Sequence, residues 1–165
     1  MLKIAVYPGS FDPVTKGHID ILEKTCNLFD QVIVAVVHNV SKQALFTAEE
    51  RVALIQAATQ HIDNIVIESF SGLLANYVQK KQACAIIRGL RNVADFEYEM
   101  TMAMINKKLY PHADTIFITS DSKNISISSS IVKEVASLGG SVNELVPGVV
   151  EKALRKKRTL AKRKD

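Results

Sequence analysis

The amino-acid sequence predicts an α/β domain in which a doubly wound, five-stranded parallel sheet carries helices on both faces. Five apolar runs of strand length recur along the chain, and they are rich in valine and isoleucine. The runs are continuous rather than alternating, which is typical of parallel strands that are covered on both sides. Stretches of helical length lie between them, and such an alternation gives a parallel sheet with right-handed crossovers.

The strands are predicted directly from the apolar runs. They cover residues 2–7, 31–37, 64–70, 84–89 and 114–119. In an open sheet of this kind, ligands bind beyond the carboxyl ends of the strands, where the strand order reverses. We therefore expect the loops that follow the strands to ring the site, at residues 8–17, 38–46, 70–74, 88–92 and 119–129.

The helices are predicted from apolar residues that recur every three or four positions and from capping residues. Thr47 and Glu50 have the spacing of a capping box, and Gly139 with Gly140 is a stop signal. Pro147 marks the first turn of the last helix. The predicted helices cover residues 18–29, 47–59, 73–82, 92–109, 129–138 and a final stretch after that proline.

The length of 165 residues fits one domain that needs neither a disulfide nor a metal for its stability. We expect a single domain over residues 1–158 and a basic, frayed tail over 159–165. The amino terminus lacks the apolar region of a signal peptide. No apolar run reaches the roughly 18 residues of a membrane span, so we expect a cytoplasmic protein without a membrane partner.

Two further sets of residues are predicted to lie in the core. Cys26 and Cys84 show neither metal nor redox spacing, and buried free thiols are the simplest interpretation. Met100, Met102 and Met104 recur on one predicted helix, where methionine commonly fills gaps in a core.

The net charge of +4 arises at the carboxyl-terminal end. Residues 151–165 contain eight Lys or Arg against two acidic residues, whereas residues 1–150 contain 13 against 15. A basic segment can bind nucleic acid electrostatically, but this one has no aromatic residue that could stack on bases. It is more typical of a solvated helix end, and we expect no nucleic-acid partner.

The loop after the first strand has the composition of a phosphate-binding turn. Gly9 lets the backbone leave the strand sharply, Pro13 stiffens the loop, and Gly17 permits a close approach at the helix start. The free amides at that helix start attract phosphate, and both His18 and Ser10 can donate to an anion. On spacing alone, an ordinary strand-to-helix loop explains these residues equally well.

Two later segments also carry groups that suit phosphate. Arg88 and Arg91 flank the end of the fourth strand, and the planar guanidinium suits a phosphate. Both arginines can instead pair with Asp95 and Glu97, and the sequence leaves this open. Three consecutive serines, residues 128–130, stand at a helix start, where capping alone accounts for one or two of them.

Three separated motifs resemble those of one enzyme family. YPGSFDPVTKGHIDIL (7–22) resembles the first signature of the nucleotidyltransferase superfamily, HxGH, with Thr15 at the position of the first histidine. IIRGLRNVADFEYEM (86–100) and ISSSIVKEVA (127–136) extend the resemblance to the bacterial phosphopantetheine adenylyltransferase family, which also uses threonine at that position. The resemblance covers residues 3–150, and it implies a Rossmann-like nucleotidyltransferase fold.

The resemblance implies an enzyme of coenzyme A biosynthesis that makes dephospho-coenzyme A and pyrophosphate from ATP and 4'-phosphopantetheine, reversibly and by direct in-line attack. A phosphate monoester is already anionic at neutral pH, so the step needs alignment and charge neutralisation rather than a general base. Mg²⁺ is expected to be held mainly through the ATP phosphates, and no protein ligand is assigned to it. The family also implies a homohexamer.

The same resemblance implies the site residues. The catalytic group is His18, Lys42, Ser10 and Arg91. In this group, His18 stabilises the transition state, whereas Lys42 and Ser10 position the phosphate of phosphopantetheine. The substrate-binding residues are Ser10, Lys42, Leu74, Arg88 and Asn106. The ATP-binding residues are Ser10, Phe11, His18, Gly89, Leu90, Arg91, Glu99, Asn124, Ile125, Ser126, Ile127, Ser128, Ser129 and Ser130.

The chain departs from the family pattern at three positions. Asn124 and Ser126 stand where an aromatic residue is frequent, and Gly72 replaces a common acidic residue. These departures leave open how adenine packs and whether one substrate contact is missing.

Three alternative functions fit the sequence less well. A related transferase acting on a nicotinamide nucleotide or an alcohol phosphate is disfavoured by the GLR-x₃-DFEYEM match. A class I tRNA synthetase shares the first signature, but the chain is too short for its further domains and lacks a KMSKS-like lysine loop. A nucleic-acid-binding protein would lose its activity when residues 152–165 are deleted.

Overall fold

Strands and helices alternate along the chain in the computed structural model, which describes residues 2–38, 43–91, 93–124 and 127–161. The strands are β1 (Ile4–Gly9), β2 (Gln31–Val37), β3 (Ile65–Phe70), β4 (Ala85–Leu90) and β5 (Asp114–Thr119). The helices are α1 (Lys16–Cys26), α2 (Ala48–Ala58), α3 (Leu74–Lys80), α4 (Val93–Leu109), α5 (Ser129–Leu138) and α6 (Gly148–Ala161). Each predicted element is therefore present, with bounds that differ by a few residues.

The five strands form one parallel sheet in the order β3-β2-β1-β4-β5. The chain runs outward from β1 to β3 and then crosses back to place β4 on the other side of β1, which confirms the doubly wound fold. β1 pairs with β2 along its whole length, but its register with β4 is confined to Ala5 and Val6. The carboxyl ends of β1 and β4 thus border a cleft at the point where the strand order reverses.

Helices cover both faces of this sheet, as predicted. On one face Ile21 of α1, Ile55 of α2 and Val132 of α5 pack in a single cluster with the central strands. On the other face Val78 of α3 packs with Ile33 and the neighbouring strand residues. The central strands are apolar on both sides because both sides are buried, which explains why their sequences do not alternate.

The capping signals act as predicted. The Thr47 side chain accepts a hydrogen bond from the Glu50 amide at 3.2 Å, and the Glu50 carboxylate accepts one from the Thr47 amide at 2.9 Å. α5 ends at Gly139, whose φ of 89° lies in the left-handed region that favours glycine. α6 continues to Ala161, three residues into the segment predicted as a tail, and residues 162–165 lie outside those described.

The predicted burial of some sulfur-containing residues is wrong. Both cysteines are free, but Cys84 is exposed just before β4, and Cys26 is half-buried. On α4, Met100 and Met104 are 38% and 61% exposed. Tyr98 of the same helix is also exposed, so α4 carries apolar side chains at the surface that this chain does not bury. Among the described residues, no helix is both long and apolar enough to cross a membrane.

Candidate active site

A cavity of about 300 Å³ lies at the carboxyl ends of β1 and β4, where the topology predicts a ligand site. Its walls come from the loop between β1 and α1, the end of β4, the beginning of α4, the loop after β5 and the beginning of α5. The predicted site residues that line it are Ser10, Phe11, His18, Arg88, Gly89, Arg91, Glu99, Asn124, Ile127, Ser128, Ser129 and Ser130.

A capping box at the start of α1 orients the ring of His18. The His18 amide donates to Thr15 Oγ1 at 3.3 Å, and the Thr15 amide donates to His18 Nδ1 at 3.0 Å. Because an amide nitrogen can only donate, Nδ1 is an acceptor, and the hydrogen of the neutral ring is carried by Nε2. The ring also packs edge-to-face on Phe11, with a centroid separation of 5.1 Å. His18 therefore has an oriented Nε2–H group to offer to a ligand.

The surroundings of His18 keep it neutral. Burial lowers the pKa of His18 to about 4, and the positive charges of Arg91 and Arg88 act in the same direction. At neutral pH the imidazole is thus a hydrogen-bond donor without a net charge. The cationic side chains that line the cavity are instead the two arginines.

We expect the free energy of unfolding of the ligand-free protein to fall as the pH drops from about 6.5 to about 4. In this window the unfolded chain binds a proton on His18 that the folded chain does not, so protonation favours unfolding. Above about 6.5 the contribution is fully present. Urea denaturation at several pH values measures it, and His18→Gln should show a shallower fall than the wild type. An equal fall in His18→Gln would contradict the assignment, and His112→Gln, at an exposed histidine, serves as the control.

The two arginines of the cavity form ion pairs with carboxylates of α4. Arg88 Nε donates to Glu99 Oε2 at 2.6 Å, and its Nη2 donates to the other carboxylate oxygen. Arg91 Nε donates to Asp95 Oδ2 at 3.0 Å. The pairing that the sequence left open therefore holds for Asp95, whereas Arg88 pairs with Glu99 and not with Glu97. Glu99 lines the cavity, and Glu97 is exposed.

The serines at the start of α5 have different partners. Ser128 is the N-cap, and its hydroxyl accepts from the Ile131 amide at 3.2 Å. The Ser129 hydroxyl donates to the Pro13 carbonyl at 2.8 Å. The first amides of a helix have no partner within it, so those of Ser129 and Ser130 are available to an anion in the cavity.

Two glycines allow the walls of the cavity to approach each other. A Cβ on Gly17 would lie 3.3 Å from the Asn124 carbonyl oxygen. A Cβ on Gly89 would clash with Ile21 Cδ1. The amino-terminal half of α1 therefore packs closely both on the loop after β5 and on the end of β4.

A second, smaller cavity of about 100 Å³ adjoins the first. Arg88 and Glu99 line both cavities, and the predicted residues Leu74 and Asn106 line the smaller one. Asn106 is buried on α4, and most of the other walls are apolar. The structure thus places the predicted substrate-binding residues of β4, α3 and α4 together.

One described site residue lines neither cavity, and three further predicted site residues lie outside the described part of the chain. Leu90, the last residue of β4, lines neither of them. Lys42, Ile125 and Ser126 lie outside the described residues.

Several residues of the site were missed from the sequence. Tyr7 and Ser120 line the larger cavity. Tyr7 lies within the apolar run of β1, and Ser120 directly follows the run of β5, so neither stands out as a site residue in the sequence. Burial raises the pKa of Tyr7, so its phenol stays neutral. The Ser120 hydroxyl is buried without a hydrogen-bond partner in the described part of the chain. Asp12 and Arg51 are buried and do not line the cavity but hold its loops, and their local sequences carried no signal of this role.

Arg51 joins the loops that follow the first two strands. This α2 residue is 3% exposed, and its Nη1 donates to the Ser10 carbonyl at 2.7 Å and to the Val37 carbonyl at 3.1 Å. Its Nε donates to the Thr47 carbonyl at 3.3 Å. Arg51 therefore fixes the loop that carries Ser10 to the end of β2.

Comparison with known proteins identifies the family. The cytidylyltransferase-like family model matches residues 6–135. A phosphopantetheine adenylyltransferase from Syntrophomonas wolfei subsp. wolfei is 64% identical over 156 residues, covering 94% of this chain and 97% of that protein. A second one, from Heliobacterium modesticaldum, is 53% identical over 149 residues and covers 90% of this chain and 89% of that protein.

A solved structure shows the same fold at low sequence identity. A chain assigned as a nicotinate-nucleotide adenylyltransferase from Vibrio parahaemolyticus matches with a TM-score of 0.73 and 16% identity, covering 96% of this chain and 95% of that one. It supports the Rossmann-like nucleotidyltransferase fold alone. Given the high identity over nearly the full length of the bacterial relatives, the chain belongs to the phosphopantetheine adenylyltransferase family of nucleotidyltransferases.

Proposed function

We propose that this chain transfers the adenylyl group of ATP to 4'-phosphopantetheine, forming dephospho-coenzyme A and pyrophosphate in coenzyme A biosynthesis. The observation that carries the proposal is the convergence on one cavity of two helix amino termini, an oriented His18 Nε2–H donor, and the guanidinium groups of Arg88 and Arg91. Membership in the family supports the same pair of substrates.

The transfer is a direct displacement at phosphorus. An oxygen of the phosphopantetheine phosphate bonds to the α-phosphorus of ATP, while the bond from this phosphorus to the oxygen bridging to the β-phosphate breaks. Pyrophosphate leaves with the electron pair. The attacking oxygen is already anionic, so no side chain has to remove a proton, and the site needs only donors and cations.

In this proposal ATP lies across the larger cavity. The amides of Ser129 and Ser130 bind its β- and γ-phosphates. His18 Nε2 donates to an α-phosphoryl oxygen, where charge develops in the transition state, and Arg91 neutralises the same region. Glu99 is in reach of the ribose hydroxyls as an acceptor.

Phosphopantetheine extends from the larger cavity into the smaller one. Its amides and apolar arm meet Asn106 and Leu74, and its phosphate meets Arg88. The Nη1 group of Arg88 donates to the Pro8 carbonyl at 3.0 Å, and Glu99 takes the Nε side of the guanidinium. The remaining N–H groups of this fixed guanidinium are left for the phosphate. The family resemblance adds Ser10 and Lys42 to this phosphate site.

The donor set fits Mg²⁺ that enters with ATP. Within the described residues no three His, Cys, Asp or Glu side chains are grouped as metal ligands. The cavity carboxylates Asp95 and Glu99 both pair with arginines. Phosphate oxygens and water would therefore hold the ion, and it would neutralise part of the phosphate charge.

The proposal also includes a homohexameric assembly. The exposed apolar face of α4, which includes Tyr98 and Met104, supports the homohexamer that the family implies, because an assembly would cover it. The cytoplasmic location, the single domain over residues 1–158 and the basic tail stay predictions.

The purified chain, incubated with Mg²⁺, ATP and 4'-phosphopantetheine, is expected to release pyrophosphate. Nicotinamide mononucleotide and, with CTP, glycerol 3-phosphate test the related transferases, and faster release with either would contradict the proposal.

The basic tail is best tested by deleting residues 162–165 rather than 152–165, because Leu154 is 3% exposed in the core. Full activity of the shortened chain would show that those four residues are not needed for adenylyl transfer.

A further inference from the structure

The carboxylate of Asp12 joins three parts of the chain beside the active site. This residue lies in the loop between β1 and α1, and it is 4% exposed. Its Oδ2 accepts from the Leu45 amide at 2.9 Å, and its Oδ1 accepts from the Phe46 amide at 2.9 Å. Oδ2 also accepts from Lys133 Nζ of α5 at 3.0 Å. The Asp12 junction thus connects the loops after β1 and β2 with α5.

Lys133 gives α5 a second attachment to the loop after β1. The first is the hydrogen bond from the Ser129 hydroxyl to the Pro13 carbonyl. Ser129 and Lys133 are four residues apart, so they lie on the same side of the helix. The two contacts meet adjacent loop residues, Pro13 and Asp12, and therefore fix both the position and the rotation of the amino-terminal turn of α5.

The ion pair is not required to satisfy the buried carboxylate. Two backbone amides already bind Asp12, one on each oxygen, and they would remain if Lys133 were replaced. The Lys133 side chain is 34% exposed, so its ammonium can be solvated without a partner. What the pair adds is a fixed geometry between α5 and the loop that leads to His18.

We propose that Asp12 and Lys133 are positioning residues. They hold the phosphate-binding amides of α5 at a fixed position relative to Ser10 and His18. This inference rests on the proposed function for the placement of ATP. Adenylyl transfer requires in-line alignment, and a displacement of about 1 Å can cost as much as 10²-fold in rate. The chemical role is indirect, because neither side chain lines the cavity.

Lys133→Met tests the proposal, because it keeps the length of the side chain and removes its charge. We expect the KM for ATP and the Kd of ATP to rise about fivefold to tenfold, with the KM for 4'-phosphopantetheine changed by less than about twofold. Lys133→Arg should restore most of the ATP affinity. The matched control is Lys81→Met: Lys81 has a similarly exposed side chain, at 28%, and pairs with Glu68 away from both cavities.

A double-mutant cycle with Asp12→Asn provides a second measurement. The effects of the two substitutions on the Kd of ATP should be clearly less than additive, since each removes the same ion pair. If Asp12→Asn does not fold, the Lys133 variants decide alone. An ATP affinity of Lys133→Met within twofold of the wild type would overturn the proposal, and so would an equal rise in both KM values.

Failure of this inference can be told apart from failure of the proposed function. Binding of ATP to the ligand-free chain is measured by calorimetry without the second substrate. A wild-type chain that binds ATP but releases no pyrophosphate with 4'-phosphopantetheine would overturn the proposed function. Weaker ATP binding by Lys133→Met would still support the Asp12 junction in that case.

Discussion

His18→Ala is expected to lower kcat for adenylyl transfer by about 10²–10³, with the KM for ATP changed by less than about threefold. The capping box holds Nδ1 as an acceptor, so the ring has one donor, Nε2–H, which does not need to reorient during the reaction. Such a donor contributes most where charge develops, at the α-phosphoryl oxygens of the transition state. The loss should therefore appear in kcat rather than in ground-state binding.

Pyrophosphate release at saturating substrates measures this effect, and ATP binding by calorimetry checks that the site is otherwise intact. His112→Ala, at an exposed histidine outside the cavity, is the control and should keep wild-type kcat. A His18→Ala enzyme that retains more than about a tenth of the wild-type kcat would contradict the assigned role.

The fold and the position of the site could be predicted because each depends on a strong local pattern. Buried parallel strands must be apolar on both faces, so the strand runs are unmistakable in the sequence. The alternation with helices then restricts the connections, and the reversal of strand order predicts the position at which the cavity is found. The capping box at Thr47 and the stop at Gly139 were predictable for the same reason, since their partners lie within a few residues.

What the sequence did not reveal are contacts between distant segments. Asp12 bonds to residues 33, 34 and 121 positions away, and Arg51 bonds to the carbonyl oxygens of Ser10 and Val37, 41 and 14 positions away. Backbone carbonyl and amide groups are the same in nearly every residue, so the sequence does not indicate which of them a distant side chain will bind. The Arg88–Glu99 pair is a related case: Glu97 and Glu99 are alike in sequence, and only the rotation of α4 decides which of them faces the cavity.

The exposed side of α4 shows another limit of sequence patterns. Periodicity predicts which side of a helix is buried only when the other side is polar, and α4 has apolar residues on all sides. The methionine series was therefore assigned to the core although Met100 and Met104 lie at the surface. Apolar residues on several sides of a helix do not indicate which of them the chain itself buries.

Arg88→Met is expected to lower kcat/KM for 4'-phosphopantetheine by about 10²-fold, with a smaller effect on the KM for ATP. The substitution removes the cation that meets the incoming phosphate in the proposed function. It also leaves the Glu99 carboxylate, whose side chain is 12% exposed, without its partner. Glu99 lines both adjoining cavities. Its unpaired carboxylate would therefore repel the phosphate of 4'-phosphopantetheine.

Two further variants separate these two contributions. Arg88→Lys keeps the charge but cannot form the two parallel bonds to Glu99, so an intermediate loss is expected. Adding Glu99→Gln to Arg88→Met should recover part of the activity. The second substitution removes the repulsion by the Glu99 carboxylate, but it does not replace the lost cation. Arg155→Met, which breaks the exposed pair with Glu151 at 2.7 Å, should behave as wild type. If Arg88→Met altered only the KM for ATP, Arg88 would belong to the nucleotide site, and the orientation of the two substrates across the Arg88–Glu99 pair would have to be reversed.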